Sequence, residues 1–328
     1  MKKGKLLTKF ATIILILVLV VGVGIKFGYD YINKKISLMN IQTLDKAELG
    51  ISEEVYKDVS DGTKVIALFG SDARINDPSI GVRADAIMIC SLDTVNHKIN
   101  FISIPRDTYV SIEGYGKTKI NHAYSYGKEQ LAIKTINQNF DLAIDEYVTI
   151  DFSGLISVIN ALGGVDLEIS EAEKRYINEK VDESYDLSGK TRTYLESAGA
   201  VHLNGEQALT HTRNRTVGSD FERAKRQRDV MEAIVKQSGT LNIPKAMDLS
   251  NIVLKQIKTN VDAWKYVRLI PNFIKNIEAY KASMVSVQLP AAEYSKDKYI
   301  KGTYYFATDI IKAKADFKKY VYGVEPIE

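Results

Sequence analysis

The chain has 328 residues, with 44 Lys and Arg against 41 Asp and Glu and a formal net charge of +3. So small a basic excess argues against a general nucleic-acid binder, so any anion site has to be local, and the apolar content suffices for the core of one large or two small domains. A single cysteine, Cys90, excludes a disulfide within the chain and any metal site built on several thiolates.

Residues 6–25 carry one charge, Lys9, and residues 10–25 carry none. At about 1.5 Å per residue such a run just crosses a hydrocarbon core of about 30 Å, so a transmembrane helix is expected over residues 10–28. Lys2, Lys3, Lys5 and Lys9 precede it, whereas Asp30 offsets Lys26, Lys34 and Lys35 after it. The positive-inside rule then puts a tail of residues 1–9 in the cytoplasm and everything after residue 28 outside, a single-pass protein of the cell membrane. A cleaved signal peptide would share the basic start and apolar run, but Gly22-Val23-Gly24-Ile25-Lys26 offers no Ala-x-Ala site, so an uncleaved anchor is expected. Gly22, Gly24 and Gly28 approach a G-x-G-x-x-G pattern with no strand before them, so no dinucleotide site follows.

Residues 29–62 read as a membrane-proximal stem in which Ile32, Ile36, Met39, Leu44 and Ala47 recur at helical spacing. The folded domain is expected over residues 63–328, an α/β domain of about 265 residues. Residues 65–69, 86–92 and 99–104 are continuous apolar runs, the pattern of buried strands, and the last two are joined by a hairpin-like turn. Each run has charges at one end: Asp72 after the first, Arg83 and Asp85 before the second, Arg106 and Asp107 after the third. Pro105 cannot extend a central ladder and so aims Arg106 out of the sheet.

A loop punctuated by Gly114, Gly116 and Gly127 follows, then a helix over 128–140, a strand over 146–151, a helix over 152–162 ended by Gly163-Gly164, and a strand over 165–169. Residues 170–203 are largely polar and read as an excursion or lid. Asn204-Gly205 opens a helix that runs into Arg213; helices over 221–237, 249–257 and 263–280 and a strand over 283–289 complete the pattern.

No Walker A, H-E-x-x-H or G-x-S-x-G motif is present, so the usual signatures of P-loop hydrolysis, zincin proteolysis and serine esterase chemistry are missing. Of the four histidines, His97 falls in the hairpin turn, His202 and His211 read equally well as structural, and His122, in the glycine-flanked loop, is the candidate for chemistry. What stands out is arginine. Arg213, Arg215, Arg223, Arg226 and Arg228 crowd one short stretch with Asp220, Glu222 and Gln227, and arginine is favoured over lysine where phosphate or carboxylate is gripped by a planar fork. On a helix, Arg223 and Gln227 share a face, with Arg226 beside them. Taken singly, Arg83, Arg106, Arg213 and Arg215 could be ion-paired with Asp72, Asp85 and Asp107. Taken together, an excess of cations at strand ends calls for an anionic ligand such as a diphosphate. Hard carboxylate donors without thiols or paired histidines point to Mg²⁺ or Mn²⁺.

These residues fall into motifs that resemble the LytR-CpsA-Psr proteins of bacterial cell walls. The motifs are Gly70-Ser71-Asp72-x-Arg74, Arg83-x-Asp85, Ser103-Ile104-Pro105-Arg106-Asp107-Thr108 and Lys119-Ile120-Asn121-His122-Ala123-Tyr124, followed by Leu162-Gly163-Gly164-Val165, Leu203-Asn204-Gly205-x-Gln207-Ala208-Leu209, Arg213-x-Arg215 and Asp220-x-x-Arg223-x-x-Arg226-Gln227. The resemblance implies a three-layer α/β/α fold with a central mixed sheet and an apolar pocket for a polyprenyl chain. It implies transfer of a glycopolymer, such as wall teichoic acid or capsule, from a polyprenyl diphosphate carrier onto peptidoglycan, leaving a phosphodiester at the C6 hydroxyl of muramic acid. Carried over motif by motif, Asp72 and Asp85 hold the divalent metal, and Arg83, Arg106, Arg213 and Arg215 grip the diphosphate. Asp220, Arg223 and Gln227 complete or support that pocket, and Asp107 with the metal organises the acceptor hydroxyl. The rival expectations are a polyanion-binding transcriptional attenuator and an external polyprenyl-diphosphate hydrolase that uses no acceptor.

Overall fold

The computed structural model of the protein describes residues 37–58, 62–71, 83–218, 220–238, 249, 252–262, 264–265, 275–283 and 285–325. The expected span over residues 10–28 lies outside them, as do Asp72 and Arg74. Among the described residues no helix is long and apolar enough to cross a membrane.

Thirteen strands are described. In chain order they are β1 (Asn40–Ile41), β2 (Thr63–Ser71), β3 (Ala84–Asp93), β4 (Lys98–Ile104), β5 (Tyr109–Ile112), β6 (Gly116–Lys119), β7 (Glu146–Asp151), β8 (Val165–Ile169), β9 (Gly199–Leu203), β10 (Ile257–Thr259), β11 (Val285–Gln288), β12 (Ser295–Ile300) and β13 (Thr303–Thr308). Two compact units are formed. One comprises residues 41–149, 258–261 and 284–328, and the other residues 150–257 and 262–283 together with the chain up to residue 40.

The first unit is built on a mixed sheet in the order β1-β10-β7-β2-β3-β4-β11, in which β2, β3 and β4 are antiparallel and β11 joins β4 in parallel. The three apolar runs become central strands because both faces of a central strand are covered. Ile89 and Ile102 are opposite each other and fully buried. Helices Asn121–Phe140 and Ile310–Tyr322 pack on this sheet and on each other through Phe140 and Phe317, whose ring centroids are 4.3 Å apart. The first of them starts at Asn121 rather than at residue 128. Gly127 and Lys128 leave helical geometry, with Lys128 at φ 51°, so the glycine read as loop punctuation is a kink inside a longer helix. Buried Asn137 fastens the helix end by donating to the Leu49 and Ile144 carbonyls and accepting from the Ile144 amide. Cys90 is free and buried in β3, where desolvation pushes its thiol far above the ordinary range.

The second unit is mainly helical. Asp151 caps the helix Phe152–Ala161 by accepting from the Gly154 amide at 2.7 Å. Gly163 and Gly164, at φ 87° and 105°, then turn the chain into a β8–β9 ribbon. The ring nitrogens of His202 lie 2.7 Å from Asp166 and from the Gly163 carbonyl, which raises its pKa and makes it a brace for that turn.

Residues 170–203, expected as an excursion or lid, are largely regular. They form the helices Glu171–Lys180 and Asp182–Ser188 and the strand β9 over a small core of Ile169, Ile177, Val181 and Tyr185. The helix Gly205–Arg213 is opened by a capping box between Asn204 and Gln207. A Cβ at Gly205 would sit 2.4 Å from the Ile156 carbonyl oxygen, so only glycine lets this helix approach the helix Phe152–Ala161. The helix Asp220–Ser238 follows. Of the late helices expected over 249–257 and 263–280, the described parts are helical at Leu249, 252–256, 264–265, Lys275 and Ile277–Ala282, and residues 257–259 are strand.

Candidate active site

Extending the β3–β4 register by two residues beyond Ile87 and Ile104 sets Asp85 opposite Arg106, and there the Arg106 guanidinium meets the Asp85 carboxylate at 2.8 Å. Pro105 ends the strand. Its carbonyl accepts from the amide and the hydroxyl of Thr108, closing a tight turn that presents Arg106 and Asp107 together. The Asn121 and Ile120 amides donate to the Arg106 and Thr108 carbonyls, so the turn is tied to the start of the long helix.

Asp107 is 4% exposed, and its two oxygens face cations, Arg106 Nε at 3.4 Å and Lys119 Nζ at 2.5 Å. A carboxylate this deep is tolerated because it is paired, and in return it fixes the positions of both cations. Arg83 stands exposed just before β3. Arg83, Arg106 and Lys119 against Asp85 and Asp107 leave this group of five with an excess of one positive charge.

His122, in the first turn of the long helix, places Nδ1 2.9 Å from the Thr118 hydroxyl. Burial, and then the charges of Arg83 and Lys119, lower its pKa against the opposing pull of Asp107, so its imidazole is neutral at neutral pH. The sequence motif contained Lys119 without assigning it. Its signal was the position, a cation closing β6 one residue before the Ile120-Asn121 segment that is tied to the Arg106 turn.

In the helical unit the five arginines separate. Arg213, the last residue of its helix, lies 5.3 Å over the Phe152 ring with Nη1 3.2 Å from Glu183, and it keeps part of its surface in solvent. Arg215 is exposed two residues on. Arg226 points inward: its Nη2 donates to the Asn214 and Val217 carbonyls at 2.9 and 2.8 Å, and its Nη1 pairs with Glu173 at 3.3 Å. It therefore holds the loop that carries Arg215. Glu173 also completes the capping box with Ser170. Burial alone would raise its carboxyl, but the Ser170 hydrogen bonds and the charge of Arg226 hold it below the usual range.

Arg223 is buried in the helix Asp220–Ser238, with Gln227 half-buried one turn later. Asp220 is the first residue of that helix, and its side chain lies outside what the structure describes. His211, read as equally structural or functional, is 2% exposed, and burial pushes its pKa down to about 4.

The sheet unit thus gathers Arg83, Asp85, Arg106, Asp107, Lys119 and His122, and the helical unit carries Arg213, Arg215, Asp220, Arg223 and Gln227. Among the described residues no three His, Cys, Asp or Glu side chains are grouped to hold a metal ion. Asp72, the second expected ligand, lies outside them. Asp85 supplies a hard carboxylate oxygen of the kind a divalent cation takes, with its Oδ1 also engaged by the Arg106 guanidinium.

A polyisoprenyl-teichoic acid–peptidoglycan teichoic acid transferase, TagU of Bacillus cereus, is 32% identical over 221 residues, 66% of this chain and 66% of its own. The chain thus spans just under two thirds of that relative. A solved structure described as TagT bound to LI-WTA superposes with a TM-score of 0.61 at 28% identity, covering 80% of this chain and 92% of that one. Another, TagT with bound octaprenyl pyrophosphate lipid, does so with a TM-score of 0.56 at 25% identity over the same shares. The model of the LytR_cpsA_psr family matches residues 30–320, and the chain belongs to that family.

Proposed function

We propose that the protein is a membrane-anchored extracellular phosphotransferase that moves a glycopolymer from a polyprenyl diphosphate carrier to a hydroxyl of peptidoglycan. The observation that carries this reading is the Arg106 turn, where a buried acid holds two cations in fixed positions beside an exposed third, Arg83. Phosphoryl transfer asks a protein mainly to position reactants and neutralise charge, and preorganised guanidinium and ammonium groups do both. Support also comes from the names of the relatives, which specify polyisoprenyl-linked teichoic acid and peptidoglycan, and from the pyrophosphate lipid bound to TagT. The single N-terminal span, the external location of the domain and the three-layer arrangement belong to the same proposal.

In this reading the acceptor oxygen forms a bond to the phosphorus next to the sugar, and the bond from that phosphorus to the bridging oxygen breaks. Polyprenyl phosphate leaves, and the polymer stays on the acceptor through a phosphodiester. Arg83 and Arg106 bind the diphosphate oxygens; the diphosphate roles expected of Arg213 and Arg215, and the supporting roles of Asp220, Arg223 and Gln227, rest on the family resemblance. Lys119 joins the set. Asp107, with both oxygens facing cations, positions Arg106 and Lys119 rather than taking a proton, and His122 is a neutral imidazole able to accept one. A Mg²⁺ or Mn²⁺ held by Asp72 and Asp85 would supply further neutralisation of the diphosphate when bound.

The test is to incubate the full-length protein with a lipid-linked glycopolymer, Mg²⁺ and peptidoglycan oligomers. A joined product supports transfer. Free polymer phosphate without a joined product identifies a hydrolase, and neither product returns the chain to the regulator reading.

A further inference from the structure

We propose that the β12–β13 hairpin is the platform on which the acceptor glycan strand docks, its tyrosines stacking on sugar rings beside Lys119 and Asp107. This rests on the transfer reading above and assigns the acceptor a place that reading leaves open.

The hairpin is fastened to the Arg106 turn by its backbone. The Phe306 amide donates to the Asp107 carbonyl at 2.9 Å, and Thr108 and Phe306 form a parallel bridge. The Tyr305 ring meets Tyr109 edge-on at 4.8 Å. The Lys119 ammonium that pairs with Asp107 lies 5.8 Å from the ring centres of both Tyr304 and Tyr305. Tyr304 is directly opposite Tyr299 in the ladder, with ring centres 5.7 Å apart, and its hydroxyl donates to Asp297 at 2.9 Å. Tyr299 is 71% exposed.

Isolated exposed aromatics are ordinary, but this set is ordered and leads to the site. Its rings are fixed by a ladder pairing, a hydroxyl–carboxylate bond and a cation, and together they run from the Asp107 turn out to open solvent. Fixed aromatic faces flanked by hydrogen-bonding charges suit a ligand with apolar C–H faces and hydroxyl edges, which is the chemistry of a glycan strand. A lipid surface fits less well. The tip of the hairpin, Lys301-Gly302, is exposed and polar, and the tyrosines lie along the strands, so no apolar wedge leads into a bilayer.

The experiment titrates the full-length protein in detergent micelles with soluble peptidoglycan glycan-strand oligomers by calorimetry, alongside a transfer assay. Tyr299→Ala is expected to weaken oligomer binding about three- to tenfold and raise the acceptor KM by the same factor at unchanged kcat. Tyr299→Phe, which keeps the ring, should bind as the wild type does. Unchanged oligomer affinity in Tyr299→Ala overturns the platform, including the case in which that variant alters only the response to micelles doped with phosphatidylglycerol. Failure of the wild type to transfer polymer, with ring-dependent oligomer binding intact, overturns the transfer reading and leaves the platform standing.

Discussion

Glu129 offers a direct check on how the sheet unit is held. The residue is 3% exposed on the helix that carries His122, and its carboxylate accepts from the Tyr124 hydroxyl at 2.8 Å, the Thr149 hydroxyl at 3.0 Å and the Lys258 ammonium at 2.9 Å. Burial raises its pKa, but the Lys258 hydrogen bond and charge with the Tyr124 bond outweigh that, and the carboxyl stays below the usual range. Glu129→Gln keeps an oxygen for the two hydroxyls and turns an NH₂ toward the ammonium, donor against donor. Breaking one side of a buried pair costs about 3–5 kcal/mol, and because the Lys258 side chain keeps 26% exposure the cost here falls to the bottom of that range or just below it, about 2–3 kcal/mol. Removing Lys258 as well should recover most of it, since a buried pair replaced on both sides is close to neutral. A carboxyl with a depressed folded pKa stabilises above its unfolded value and loses that contribution as pH falls through the folded one, so the gap between wild type and Glu129→Gln should narrow as pH falls below the ordinary glutamate value of about 4.3. Urea unfolding of wild type, Glu129→Gln and Glu129→Gln/Lys258→Met across pH measures all three effects. A single variant within 0.5 kcal/mol of wild type, or a double variant worse than the single, refutes the assignment.

Other consequences follow from the helical unit and the turn. His211 is neutral when folded because burial depresses its pKa to about 4, so stability is full above its unfolded value and falls as pH drops from about 6.5 toward 4. Between pH 7 and 5 that loss is about 2 kcal/mol, and urea titrations should show it shrinking in His211→Gln. Gly205→Ala forces a methyl against the Ile156 backbone and should destabilise by about 2–3 kcal/mol in thermal unfolding. Asp107→Asn should lower transfer by releasing Arg106 and Lys119 while leaving the shape of the pH–rate profile unchanged, and a lost basic limb in that profile would instead make Asp107 the proton acceptor.

The central strands were readable because a strand covered on both faces needs an unbroken apolar run, and 65–69, 86–92 and 99–104 provide it. The ends of β3 and β4 were readable as a site for the same reason, since their charges had no place within the sheet. The segment 170–203 was missed because its first helix fully buries only Ile177 and so shows little apolar stripe, although the Ser170–Glu173 capping box was there to be seen. The closing hairpin hid similarly: β12 is largely exposed on both faces and has no alternation, and the tyrosines of β13 were its remaining signal. Among the arginines, sequence marked the density but could not give direction. Arg226 faces inward on backbone carbonyls while Arg213 and Arg215 reach solvent, a difference decided by the turn at Asn214, whose side chain accepts from the Thr216 and Val217 amides.

The most direct measurement follows the phosphorus. A lipid-linked glycopolymer carrying ³²P in the phosphate next to the sugar is incubated with the full-length protein, Mg²⁺ and peptidoglycan. Wild type is expected to move the label into peptidoglycan in a phosphodiester, and Arg106→Ala, still folded, is not. Label recovered as free polymer phosphate, or equal incorporation by Arg106→Ala, would contradict that expectation.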